Sequence, residues 1–243
     1  MRALFLASAL LTLATPAYAD QRPLRFSVSD SSTMPMIRLS RGEATNGILY
    51  DLHRRIAEKI GRQAEHLVMS RARIQPLLAN GDVDVSCYMN PAWLASDRPS
   101  YRWSVPFMSQ RTILVARIDS PDVDLRALQG ERIGTVRGFH YPDIDELFLD
   151  GHLIRDDART EKQVLGKVVA GRYRYALSTH TALGWFNRSQ PAELKLRVID
   201  EMTEFPLHCI VRDEPDVPAR QVLDAMQQMQ RDGEFEAIVA KYR

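Results

Sequence analysis

Gly47-Ile48-Leu49-Tyr50-Asp51-Leu52 opens the stretch that decides the fold. Leu49, Leu52, Ile56 and Ile60 recur at helical spacing and the run stops before Gly61, which predicts an amphipathic helix. Upstream, Leu24, Phe26 and Val28 alternate with polar residues as a half-buried strand does. Downstream, a second strand near His66 to Met69, a short helix around Ile74 to Ala79 and a third strand at Val83 to Tyr88 continue the alternation. This order of strands and helices builds a mostly parallel sheet flanked by helices, an α/β fold.

The pattern changes at Thr112-Ile113-Leu114-Val115-Ala116-Arg117, which runs straight into the turn-rich Ile118-Asp119-Ser120-Pro121-Asp122. We read this as a hinge strand leaving a first lobe. A second α/β pattern follows, with a strand at Arg132 to Val136, helices from about Asp143 to Leu149 and Lys162 to Val169, and strands near Tyr175 to Ser178 and Leu196 to Ile199. Leu207 to Arg212 reads as the returning hinge strand. Val222, Met226 and Met229, then Phe235, Ile238, Val239 and Tyr242 after Gly233, predict two helical segments closing on the first lobe. The expected organisation is lobe one at 20–114 plus 204–243 and lobe two at 115–203.

Residues 1–19 read as a signal peptide: Met1-Arg2 is basic, Ala3 to Ala14 is almost wholly apolar, and Ala17-Tyr18-Ala19 precedes Asp20 as a small-x-small cleavage site. The apolar run is shorter than the roughly 20 residues of a membrane span. The first cysteine is Cys87, so no thiol sits at the cleavage point to carry a lipid. A soluble, exported, periplasmic protein is expected, and a monomer. Lys and Arg total 32 against 31 Asp and Glu, and the leader takes Arg2 with it, so nothing in the charge favours nucleic acid or anionic membrane. Export permits a disulfide between the two cysteines without requiring one, and Cys87 and Cys209, both in apolar strand-like runs, read by themselves as two buried thiols.

The six histidines are scattered, and no metal-binding, calcium-loop, phosphate-loop or nucleophile-elbow motif is present, so no cofactor, metal or catalytic residue is expected. Ligands of open α/β sheets bind beyond the carboxyl ends of strands. That rule singles out Asp30 after the first strand, Arg71 after the second, and after the third the aromatic and arginine-rich segment with Tyr88, Asn90, Trp93 and Arg98. In the second lobe it singles out Arg137 and His140.

Four landmarks in order carry a family resemblance: Gly47 to Leu52, Leu78-Ala79-Asn80-Gly81-Asp82-Val83-Asp84-Val85, Leu125 to Gly134, and Asp232-Gly233-Glu234-Phe235. Together they resemble the family 3 periplasmic solute-binding proteins, the polar amino acid receptors of ABC importers, over about residues 24 to 243. The resemblance implies a two-lobed type II periplasmic-binding-protein fold that closes on a solute. It places the strands of Cys87 and Cys209 side by side, where a bridge would fit. It implies a ligand hydroxyl contact near Asn90, a carboxylate clamp near Arg98, and an anion at the helix start within Gly134 to Pro142, where Asp143, Asp145 and Glu146 would compete for the same positive end. Met36 stands where the family often has an aromatic, and Thr179 where it has the aspartate that receives the ligand's amino group.

A neutral hydroxyl cannot compensate a buried ammonium as a carboxylate does, so either the acid comes from elsewhere or the ligand lacks the amine. The expected function is a non-enzymatic receptor that binds a small polar solute, amino acid-like or an organic acid, and hands it to an ABC importer permease. The alternatives are an enzyme on the same scaffold, as in the cyclohexadienyl dehydratases, with His140 or Asp30 as acid or base, and a sensory or accessory module.

Overall fold

A computed structural model describes residues 22–94 and 100–242. The expected leader and Arg98 lie outside the described residues. The first strand is β1 (Leu24–Ser29), followed by a short hairpin of β2 (Arg38–Ser40) and β3 (Glu43–Asn46) that the sequence did not signal. Helix α1 (Ile48–Lys59) buries Leu49, Leu52 and Ile56, as their spacing requires, with Ile60 as its C-cap. Gly47 enters it at φ 120°, where a Cβ would lie 2.6 Å from the Ile37 backbone, so the start of this helix needs glycine. Then come β4 (Ala64–Met69), α2 (Arg71–Asn80) and β5 (Val85–Met89).

A three-residue strand β6 (Tyr101–Trp103) precedes β7 (Met108–Arg117). The second half holds β8 (Arg132–Val136), α3 (Asp145–Leu149), β9 (Ile154–Ala158), α4 (Glu161–Val169), β10 (Tyr175–Thr179) and α5 (His180–Asn187). The two strands expected at 196–199 and 207–212 are one, β11 (Leu196–Arg212). It pairs antiparallel with β7 from Leu196 to Leu207, and two register shifts, at Val198/Asp200 and Glu201/Glu204, let it bend between lobes without breaking. Helices α6 (Ala219–Arg231) and α7 (Glu234–Ala240) return to pack on α1.

The strand order is β4-β1-β5-β11-β7-β10-β8-β9, with β6 on β11. Pairing is parallel at β1 with β4 and β5, and at β8 with β9 and β10, and antiparallel where β7 and β11 join the halves, at β6 with β11 and in the β2–β3 hairpin. Each half has apolar clusters on both faces of its sheet. One cluster holds Phe26, Leu52, Ile56, Val222 and Met226, and its opposite Ile74, Leu78, Val83 and Ile210. In the second half Val164, Leu165 and Val168 lie on one side, Leu114, Ile133 and Leu177 on the other. No helix of the described residues is long and apolar enough to cross a membrane.

The reading of Cys87 and Cys209 as two buried thiols is corrected: they form a disulfide between β5 and β11, where they stand opposite each other in register. Below them the sheet edge is tied by Asp84, fully buried and hydrogen-bonded by Arg25 at 2.8 Å and Arg22 at 3.1 Å. Burial alone would raise its pKa, but the arginine bonds outweigh burial and hold it below the usual carboxylate range.

Candidate ligand-binding site

Two lobes joined by two strands leave a cleft between them, and the carboxyl ends of β5, β8 and β10 all open into it. Arg71, Tyr88, Trp93, Gln110, Tyr141 and Glu161 line a cavity there, together with Val136, Phe139, His140, Leu177, Ser178 and Thr179. About 30 Å³ of it is open to the centres of water molecules, room for roughly two waters. Past Arg71, Trp93 and His140 the space continues into an open groove beside Gln75 and Gly138.

Arg71 comes from the first lobe as the first residue of α2. Its guanidinium lies over the Phe139 ring of the second lobe, 5.1 Å from the centroid. Among the described residues no carboxylate comes within ion-pair distance of it, and burial lowers its pKa. Tyr88, next to last in β5, adopts a left-handed conformation, φ 65°, uncommon for a bulky side chain. That turn accompanies a ring set toward the cleft, where the hydroxyl donates to Gln110 Oε1. Trp93 packs edge-on against Phe205, 5.8 Å between centroids, and its Nε1 is buried without a hydrogen-bond partner among the described residues.

From the second lobe comes Glu161, the first residue of α4. Ser178 Oγ donates to Glu161 Oε1 at 2.9 Å and Thr179 Oγ1 donates to the same oxygen at 3.3 Å. Burial raises this carboxyl to about 7, against the opposing pull of those two hydroxyls. Thr179 has a second task, accepting from the Ala182 N–H at 3.2 Å as the N-cap of α5. Where the family resemblance implies an acid on the strand, the hydroxyl on this strand holds an acid from the neighbouring helix.

The cavity thus brings together Arg71, Tyr88, Trp93, His140 and Thr179 of the residues expected from sequence. Asp30 is not in it: its carboxylate pairs with Arg159 at 3.2 Å, across the lobes, beside a separate groove. Asn90 is buried but committed elsewhere, Nδ2 donating to the Pro206 carbonyl at 2.8 Å and Oδ1 accepting from the Ala92 N–H at 2.9 Å. Arg137 is exposed and off the cavity. In the loop before α3 the Tyr141 N–H donates to Asp145 Oδ2 at 3.0 Å, and Tyr141 lines the cavity.

Sequence reasoning missed Glu161. Glu161 follows the carboxyl end of β9, so the rule that found Arg71 would have found it had β9 been recognised. That strand, Ile154-Arg155-Asp156-Asp157-Ala158, has no apolar alternation because its charges are paired, Arg155 with Asp157 at 2.9 Å and Lys167 with Asp156 at 3.0 Å. Among the described residues no cluster of three or more His, Cys, Asp or Glu side chains is placed to hold a metal ion.

A two-lobed α/β protein with antiparallel crossover strands and a buried, charged interlobe cavity is the architecture of a type II periplasmic binding protein. The chain belongs to the bacterial extracellular solute-binding proteins, family 3, whose model matches residues 26–243. No curated protein matches it in sequence. Among solved structures it is similar to an ancestral arginine-binding protein bound to arginine, with a TM-score of 0.77 and 19% identity over 91% of this chain and 99% of that one. The substrate-binding protein of an amino acid ABC transporter gives 0.74 and 16% over 91% and 99%. An ancestral amino acid-binding protein, a precursor of cyclohexadienyl dehydratase, gives 0.73 and 18% over 90% and 95%.

Proposed function

We propose that this protein is a periplasmic receptor for a small amino acid-like solute, which it encloses between its lobes and delivers to an ABC importer permease. It acts as a monomer exported by the leader at residues 1–19, with the lobes divided at about 114 and 204. The observation that carries this reading is the placement of Arg71 and Glu161. They line one cavity, come from opposite lobes, and form no ion pair with each other. A zwitterion between them would set its carboxylate on the Arg71 donors and its amine on the Glu161 oxygens, while Trp93, Phe139 and Tyr141 wall the rest. Contacts to both lobes select the closed state, which is what a receptor read by a permease requires. The similar proteins named for arginine binding and amino acid transport support the same ligand class.

Refolded protein is tested by thermal unfolding with the standard amino acids, polyamines, organic acids and cyclohexadienyl acids. A ligand at about 100 times its dissociation constant adds roughly 2.7 kcal/mol, a shift of several degrees. Arg71→Ala removes the carboxylate partner and weakens binding by roughly 100-fold while the unliganded midpoint stays within a few degrees. Unchanged affinity in that variant would place the site elsewhere. One observation favours a second reading: a carboxyl near pKa 7 in a cavity that an arginine also lines is how an elimination enzyme could position its general acid. Turnover of a cyclohexadienyl acid, lost in Glu161→Gln, would replace the receptor by that enzyme; binding without turnover is expected.

A further inference from the structure

We infer that solute binding in this cleft is coupled to proton release, because Glu161 must give up its proton to receive the ligand's ammonium. The inference rests on the receptor reading and adds its chemistry: the ligand carries a cationic amine and a side chain without net charge, and acidification weakens its binding.

The geometry is particular to these residues. Glu161 is fixed at the first turn of α4 by two hydroxyls that both donate to Oε1, and among the described residues no side chain donates to Oε2. The Thr179 backbone N–H donates to the same carboxyl, so three neutral donors hold it in the cavity wall and, among the described residues, no cation does. With no cation paired to it, burial favours its neutral form in the empty cleft, and about half the molecules hold the proton at pH 7. An arriving ammonium is the missing cation. It reverses the preference, so the proton leaves to solvent as the complex forms. With Glu161 ionised and Arg71 already cationic, the cavity walls balance, and a zwitterion with an uncharged side chain leaves no charge uncompensated.

The surrounding groups do not supply the same titration. Tyr88 from β5 and Tyr141 from the loop after β8 are pushed up by burial and stay neutral throughout. Arg71 keeps its charge across this range. On the neighbouring elements the charges are engaged: Arg155 with Asp157 on β9, Arg159 with Asp30 at the turn before α4, and His180 with Glu201 at the start of α5. His140 is the remaining titratable group at the cavity, and its side chain stands in solvent at the rim.

The test uses the mature chain and the first of the twenty standard amino acids that raises its midpoint. Calorimetric titration at pH 7 in two buffers of different ionisation enthalpy reads the proton directly. The expected result is release of about half a proton per ligand, and affinity lower by about 25-fold at pH 5.5 than at pH 7.5. In Glu161→Gln, which can keep both hydroxyl contacts, affinity falls by roughly 100-fold and the buffer dependence disappears. Buffer dependence that survives in that variant assigns the proton to His140 and overturns the inference. So does binding to the wild type with buffer-independent heat or with proton uptake, although either leaves the receptor reading standing. If no amino acid raises the midpoint, the receptor reading and this inference fall together.

Discussion

Arg71 and Glu161 face the same cavity, yet only the first was legible in the chain. Arg71 follows an apolar strand, and the rule that ligands gather beyond strand ends points to it. Glu161 sits in Arg159-Thr160-Glu161-Lys162-Gln163, which reads as a capping sequence, and it is one: Thr160 accepts from the Gln163 N–H at 3.2 Å. Its position also makes Glu161 costly. A carboxyl that rises from 4.5 to about 7 on folding binds more protons folded than unfolded, so its cost is absent below pH 4.5 and grows up to about pH 7. Replacing it by glutamine removes that cost. We expect Glu161→Gln to stabilise the unliganded protein at pH 8 by about 1–3 kcal/mol, several degrees in midpoint, and to change little at pH 4.5. A lower midpoint at pH 8 would mean that the carboxylate is a structural partner rather than a binding group held in reserve.

At the scale of elements, α1, β1 and β4 meet in a stack of four rings, in which His53 lies against Phe26 at 4.3 Å and His66 against Tyr50 at 4.9 Å. His53 is fully buried, and neither of its nitrogens has a hydrogen-bond partner among the described residues. Burial lowers its pKa well below 6.5, with His66 adding to the effect, and burial also lowers His66, to about 4. Unfolding lets both take protons more readily, so their stacked packing is fully effective above pH 6.5 and is eroded as pH falls toward 4, by up to about 1.4 kcal/mol per pH unit for each ring. Urea midpoints of the wild type should drop between pH 7 and pH 5. In His66→Phe, which keeps the stack, the drop should be smaller, and an identical drop would remove His66 from the cause.

The same scale shows which elements local pattern reveals. Helix α1 was evident because Leu49, Leu52 and Ile56 repeat on its buried face at helical spacing. Strand β9 was not, because its outward residues are ion pairs with α4 and with each other. The length of β11 was hidden as well, since Asp200 to Glu204 is a polar, exposed run whose extended state is held by hydrogen bonds to β7 rather than by burial.

For the whole molecule, the disulfide joins residues 122 positions apart and ties the C-terminal return of β11 to the first lobe. In the chain-entropy account, closing so long a loop is worth roughly 4–5 kcal/mol, and measured losses are about 2–5 kcal/mol. Cys87→Ala with Cys209→Ala should therefore lower the melting midpoint by roughly 10 °C. An unchanged midpoint would show that the sheet pairing of β5 with β11 already supplies the restraint.

Periodicity, turn residues and ordered landmarks were enough for the class of fold, the family and the order of the apolar elements, because burying an apolar face imposes a local spacing that survives without knowledge of the partner surface. The site was different. Thr179 on β10 and Glu161 on α4 are 18 positions apart, and whether the hydroxyl or the carboxylate faces the ligand depends on how α4 docks against the strand. The pairing of the cysteines, the withdrawal of Asn90 and Asp30 into other bonds, and the meeting of Arg71 with Phe139 are likewise contacts between distant segments. Spacing along the chain carries no record of them; the packing of distant segments, within each lobe and between the two, decides them.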